Sequence, residues 1–194
     1  MRSSNLTKTI TIALMGAISM VLMLLNFPLP MLPAYLKIDF SEVPVLLAAL
    51  LFSPMAGVAV EAIKNLLYLI FTGAGDPVGV VANFLAGMMF VLPVAYFYHT
   101  FKASKRTLVS GLATGTVVMA IGMGLLNYFV VLPLYIMFAG YPSMSPEAKW
   151  LAVTAGIVPF NLIKGIIIAI VFVPLFAKLK PWFAKRKRSG SAAA

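Results

Sequence analysis

One charge interrupts the last apolar run of this 194-residue chain: Lys164, the sole formal charge between Ala155 and Ala177. A run of that length crosses the hydrocarbon core of a bilayer as a helix. An ammonium inside it is costly unless it faces a cavity or a partner. Asn161 lies one helical turn earlier, on the same face. Two polar groups on the inward face of a spanning helix point to a ligand site.

The rest of the composition agrees with a membrane setting. The chain is 62% hydrophobic and 10% charged, with a mean hydropathy of +1.02, whereas a soluble domain carries about 25% charged residues. Residues 1–188 read as one transmembrane substrate-binding domain. Residues 189–194, a Ser-Gly-Ser stretch followed by three alanines, read as an appended tail. The chain has no cysteine, which removes disulfides and thiolate chemistry. The one histidine, His99, falls near a membrane edge and reads as an interfacial side chain. There is no phosphate-binding loop for ATP, no metal-binding cluster and no Ser/His pair at membrane depth. These absences predict that the chain is not an enzyme and that it has no metal or cofactor of its own.

Apolar periodicity predicts an all-α protein of six helices over 8–26, 42–53, 54–71, 79–99, 108–138 and 155–177. The second and third are joined only by Phe52-Ser53-Pro54, and each is short for a full crossing. Arg2 and Lys8 precede the first helix, Lys102, Lys105 and Arg106 follow the fourth, and Lys178, Lys180, Lys185, Arg186, Lys187 and Arg188 follow the sixth. All fall on one side if both termini are cytoplasmic, as the positive-inside rule requires. The net charge of +10 then reports orientation, and nucleic acid need not be invoked.

With that orientation, Asn127, Asn161 and Lys164 share a depth in the outer half to middle of the membrane, at ~1.5 Å rise per residue. A lone membrane asparagine is more often interhelical glue than a ligand contact. That is the favoured reading for Asn26 and Asn83, whereas the trio reads as a ligand site. Glu61 and Lys64, at i and i+3, read as a structural ion pair, with Lys64 also able to turn toward the cavity. The inner half is otherwise almost wholly apolar, so the cavity opens outward and closes before the cytoplasm. The loop from Phe27 to Phe40 holds Pro28, Pro30 and Pro33, then Tyr35, Lys37 and Asp39. Its prolines favour a stiff extended segment able to cap the cavity, with Tyr35 as an aromatic contact. Ala13 and Ala17 form a small-xxx-small pattern on helix 1, suited to close approach of another helix. On spacing alone that other helix can belong to this chain.

Four segments carry a family resemblance: Leu36 to Pro44 (LKIDFSEVP), Gly57 to Asn65 (GVAVEAIKN), Leu125 to Tyr128 (LLNY) and Pro159 to Gly165 (PFNLIKG). At these spacings the chain resembles the riboflavin-specific S components of energy-coupling factor (ECF) transporters. The resemblance covers essentially all of the chain before the tail. It implies a six-helix, multi-pass subunit of the cell membrane that captures riboflavin from outside. It also implies docking, through a surface of the Ala13/Ala17 type, onto the transmembrane coupling protein EcfT with its two cytoplasmic ATPases. Asn127, Asn161 and Lys164 match positions like the family's flavin contacts. Tyr35, Asp39, Lys64 and Asn83 complete the candidate riboflavin-binding set.

The chemistry fits independently. Riboflavin's imide edge alternates acceptors with a donor, and an asparagine amide offers one of each. Lys164 can donate to a ring carbonyl or nitrogen, with Glu61 or a water as its own partner, while apolar walls hold the ring. Two other classes share some of these features. An S component for another vitamin would keep the helix count and the Ala13/Ala17 surface. A self-contained secondary transporter would respond to an ion gradient, with Glu61 as its coupling residue.

Overall fold

A computed structural model of the chain describes residues 2–30, 32–33, 36–72 and 75–192. The elements are α1 (Arg2–Leu24), β1 (Phe27–Pro28), β2 (Lys37–Ile38), α2 (Glu42–Leu51), α3 (Pro54–Phe71), α4 (Pro77–Thr100), α5 (Lys105–Leu126), α6 (Leu132–Phe138), α7 (Pro146–Leu151) and α8 (Val158–Ala192). α5 and α6 form one rod through a π-helical turn at Asn127–Val131, and α7 and α8 form another through a π turn at Ala152–Ile157. Six helical rods result, as the apolar periodicity predicts. Five are long and apolar enough to cross a membrane.

Local chemistry sets where the rods begin. Ser53-Pro54, Asp76-Pro77 and Ser145-Pro146 each place a capping side chain before a proline at the first helical position. Ser53 Oγ accepts from the Ala56 amide at 3.2 Å, and Asp76 Oδ1 accepts from the Gly79 amide at 2.8 Å. The last rod therefore starts at Pro146, well before the expected Ala155, because Glu147 and Lys149 in its first turns hide the helix from a reading by hydropathy.

The exception to full crossing is α2. Its 10 residues rise only ~15 Å, half of a ~30 Å hydrocarbon core. His99 Nε2 lies 2.8 Å from the Ala49 carbonyl, which sets the end of α2 beside the last turn of α4. At the other end Glu42 meets Lys64 in the middle of α3. The chain between α1 and α2 thus descends halfway into the bundle before α2 begins. Its residues Ile38, Asp39 and Ser41 are buried, the condition under which irregular backbone survives at membrane depth. β1 and β2 pair antiparallel, Phe27 opposite Ile38 and Pro28 opposite Lys37, adding a two-strand ladder to the expected all-α fold.

Packing between rods depends on small residues. A Cβ on Gly111 would lie 3.1 Å from the Val94 Cα, so α5 approaches α4 almost backbone to backbone. α1 meets α3 through Gly16, whose neighbour is Ile63. Ala13 and Ala17, on either side of Gly16, are exposed instead, together with Ile10, Leu14, Ile18 and Val21. The small-residue pattern therefore does not serve packing within this chain.

Candidate functional site

Between the descending connection and the two π turns lies a cavity of about 580 Å³. Lys37, Asp76, Tyr135 and Tyr141 border it at the end of the bundle away from Lys102, Lys105 and Arg106. Each π turn is followed by a proline at the same distance: Val131 then Pro133, and Ile157 then Pro159. Proline has no N–H to give and its ring crowds the carbonyl four residues back. A widened turn relieves both, and such turns recur at functional sites. Pro93 and Pro174 have no π turn two residues before them, so proline alone does not create the feature.

The two turns bring Asn127 and Asn161 to the cavity wall, where both are buried. Each donates from Nδ2 to the carbonyl four residues earlier, Asn127 to Met123 and Asn161 to Ile157, both at 2.8 Å. One N–H is thereby fixed on the residue's own helix, and the amide keeps a second donor and its carbonyl for other partners. Lys164 lies deeper on the same wall, with its Nζ 3.3 Å from Asp39 Oδ2. Both side chains are buried. Asp39 Oδ1 accepts from the Ser41 amide at 2.8 Å, which holds the carboxylate against the ammonium. Neither Glu61 nor a water need be invoked as the partner of Lys164: the descending connection supplies Asp39.

The remaining candidates separate. Asn83 lines the cavity, and its buried Oδ1 has no hydrogen-bond partner among the described residues. Asn26 also borders the cavity, but its Nδ2 donates to the Met23 carbonyl at the end of α1, at 2.8 Å. Tyr35 lies outside the described residues.

Lys64 is absent from the cavity wall. Its Nζ contacts Glu61 at 2.6 Å, Glu42 at 3.0 Å and the Ser41 hydroxyl at 3.2 Å, with no exposure to solvent. The expected pairing with Glu61 is present, and Glu42 joins it because the descent of the chain delivers Glu42 to the same level. Asn65 donates to Glu61 Oε1 at 2.9 Å, completing the cluster. A turn of Lys64 toward the cavity would abandon all three of its acceptors.

The pattern of polar residues in spanning helices missed the rim. Tyr135 donates its hydroxyl to Asp76 Oδ2 at 2.7 Å and stacks on Tyr141 with ring centroids 5.1 Å apart. Asp76 is both a helix cap and a clasp. Its pairing of cap and following proline was visible in the sequence, whereas its partner 59 residues away was not.

Comparison with known proteins agrees with this geometry. The model of the ECF transporter substrate-specific component matches residues 7–176. The chain is 50% identical over 182 residues to the riboflavin transporter FmnP of Bacillus subtilis (strain 168), covering 93% of this chain and 95% of that protein. It is 48% identical over 172 residues to the riboflavin transporter RibU of Staphylococcus aureus (strain TCH60), covering 89% of each. It is also 33% identical to the riboflavin transporter RibU of Streptococcus thermophilus, covering 94% of this chain and 87% of that protein. A solved chain described in "Structure and mechanism of the S component of a bacterial ECF transporter" superposes with a TM-score of 0.79. It shares 44% identity and covers 92% of this chain and 98% of its own. With five membrane-length rods and an amide-lined cavity among them, the chain belongs to the substrate-specific components of ECF transporters.

Proposed function

We propose that this chain is the riboflavin-capturing subunit of an ECF importer in the cell membrane. Its cavity opens to the outside, and its cargo passes onward through EcfT and two cytoplasmic ATPases. The observation that carries the ligand is the pairing of two self-anchored amides, Asn127 and Asn161, with a lysine whose charge is already balanced by Asp39. A cavity so neutralised suits an uncharged ring with hydrogen-bonding edges. Its volume lies within the ~300–1,000 Å³ usual for such ligands. The relatives named as riboflavin transporters support the same choice.

Asn127 and Asn161 address the imide edge, Lys164 a ring carbonyl or nitrogen, and Asn83 offers an acceptor to a ligand N–H or hydroxyl. Phe160, Met123 and Leu132 supply apolar wall. The ribityl hydroxyls lie toward the rim near Asp76 and Tyr135. The basic termini and the loop after α4 face the cytoplasm, following the positive-inside rule.

The test is a titration of riboflavin fluorescence with purified, flavin-free protein in detergent. Saturable quenching near one flavin per chain is expected, and its absence from folded protein rejects riboflavin. Docking is tested apart from binding. The exposed Ala13 and Ala17 offer a close-approach face to EcfT. Ala13→Trp should abolish uptake in membranes containing the whole importer while riboflavin binding stays at the wild-type level. Normal uptake by that variant removes the docking assignment.

A further inference from the structure

The two π turns have a second side. Away from the cavity, a groove of about 390 Å³ runs between the α5 rod and the α7–α8 rod. One wall is Ile121, Leu125 and Phe129, the other Trp150, Thr154 and Val158, each set spaced by four residues. Gly124 and Val153 form the floor, and a Cβ on Gly124 would come within 2.8 Å of the Val158 Cγ2. The groove is open because a glycine lets the rods touch at its base while they splay above it. Its length, eight residues at ~1.5 Å each, is about 12 Å.

The walls belong to membrane-length rods, and Ile121, Leu125, Phe129, Trp150 and Thr154 are exposed, so the groove faces the lipid side of the bundle. At its upper end Tyr128 packs edge-on against Trp150, with centroids 6.4 Å apart, and Lys149 places its Nζ 5.4 Å from the Tyr128 ring centre. Tyr and Trp at a rod's entry mark the headgroup level of a bilayer. A cation held there, directly above an apolar slot, is the complement of a lipid phosphate with its acyl chain beneath.

We propose that this groove is a resident-lipid site: it takes one acyl chain of an anionic phospholipid, whose phosphate meets the Lys149 ammonium. The riboflavin reading is not required for it.

Trp150 makes the site readable, because the chain has two tryptophans and Trp182→Phe leaves it alone. In detergent, phosphatidylglycerol with dibrominated acyl chains should quench Trp150 saturably, near one lipid per chain. Lys149→Gln should weaken the half-point about fivefold. Thr154→Phe, which fills an exposed wall of the groove, should abolish the saturable phase. Quenching that rises in proportion to lipid, with the same slope in all three proteins, describes ordinary solvation and overturns the proposal. A photo-crosslinking residue at position 154 in native membranes should yield adducts of lipid mass. Adducts with a polypeptide would instead make the groove a protein interface and overturn it equally.

Discussion

Two lysines are buried among the described residues of this bundle, and they differ in how many of their donors are used. Lys64 spends its ammonium on Glu42, Glu61 and Ser41, one acceptor for each N–H. Lys164 has one protein acceptor among the described residues, Asp39 at 3.3 Å, and stands on the wall of a cavity. The same side chain is saturated in one place and has donors to offer in the other. Burial of a lysine in a membrane protein is thus a weaker sign of a ligand site than its unspent hydrogen-bonding capacity.

The largest expected effect tests the saturated lysine. Lys64→Met leaves two carboxylates facing each other with no cation, both below 2% exposed. Breaking such a cluster from one side costs about 3–5 kcal/mol. The variant should accumulate poorly and unfold far below the wild-type temperature in detergent. A Lys64→Met protein with wild-type stability and lost riboflavin binding would reverse the roles assigned to the two lysines.

Next comes the lysine with donors to spare. Lys164→Met should lower riboflavin affinity by about 10- to 100-fold, the ~1.5–3 kcal/mol of a hydrogen bond to a charged group. Some stability is lost as well, because Asp39 is left without its partner. The double variant Asp39→Asn with Lys164→Met separates the two losses. Thermal unfolding should return toward wild type, since no lone charge remains, while the titration stays weak. Recovery of binding in the double variant would show that Lys164 serves only to neutralise Asp39.

That comparison also marks how far the sequence is legible. Lys164 and Asn161 announce themselves, because one charge and one amide on a single face of an apolar run have few structural alternatives. Asn127 follows by depth. The partnership of Lys164 with Asp39 does not, since it joins residues 125 apart through an irregular segment. Hydropathy gives no account of such a segment's descent, and the ten-residue α2 is its consequence. The π turns had a signal in the chain, Pro133 and Pro159, but Pro93 and Pro174 show that the signal is shared by regular helices. The rods were readable from composition, but the start of the last one at Pro146 was not, because its first turns are polar. What escaped were contacts made between distant parts of the chain.

Smaller effects belong to the anchored amides. Asn127→Ala and Asn161→Ala each remove neutral hydrogen bonds worth about 0.5–1.5 kcal/mol, so affinity should fall a few-fold to tenfold in the fluorescence titration. Because both amides also bond their own helices, each variant should unfold only slightly earlier than wild type. A large loss of stability without a loss of affinity would make them helix fixtures and leave Lys164 as the polar anchor of the ring.

The smallest effect separates Asn83 from Asn26. Both border the cavity, but Asn26 donates to the Met23 carbonyl at the end of α1, whereas the Asn83 carbonyl oxygen is buried with no partner among the described residues. An unpaired buried acceptor costs roughly 1–3 kcal/mol. Asn83→Ala should therefore leave the empty protein as stable as wild type or slightly more stable. If a riboflavin donor meets that oxygen, the same change should weaken affinity about fivefold, which is ~1 kcal/mol. Asn26→Ala should not change affinity measurably. Opposite signs for stability and affinity at Asn83 are what a group held in place for its ligand must show. A group kept for the fold would lose both together.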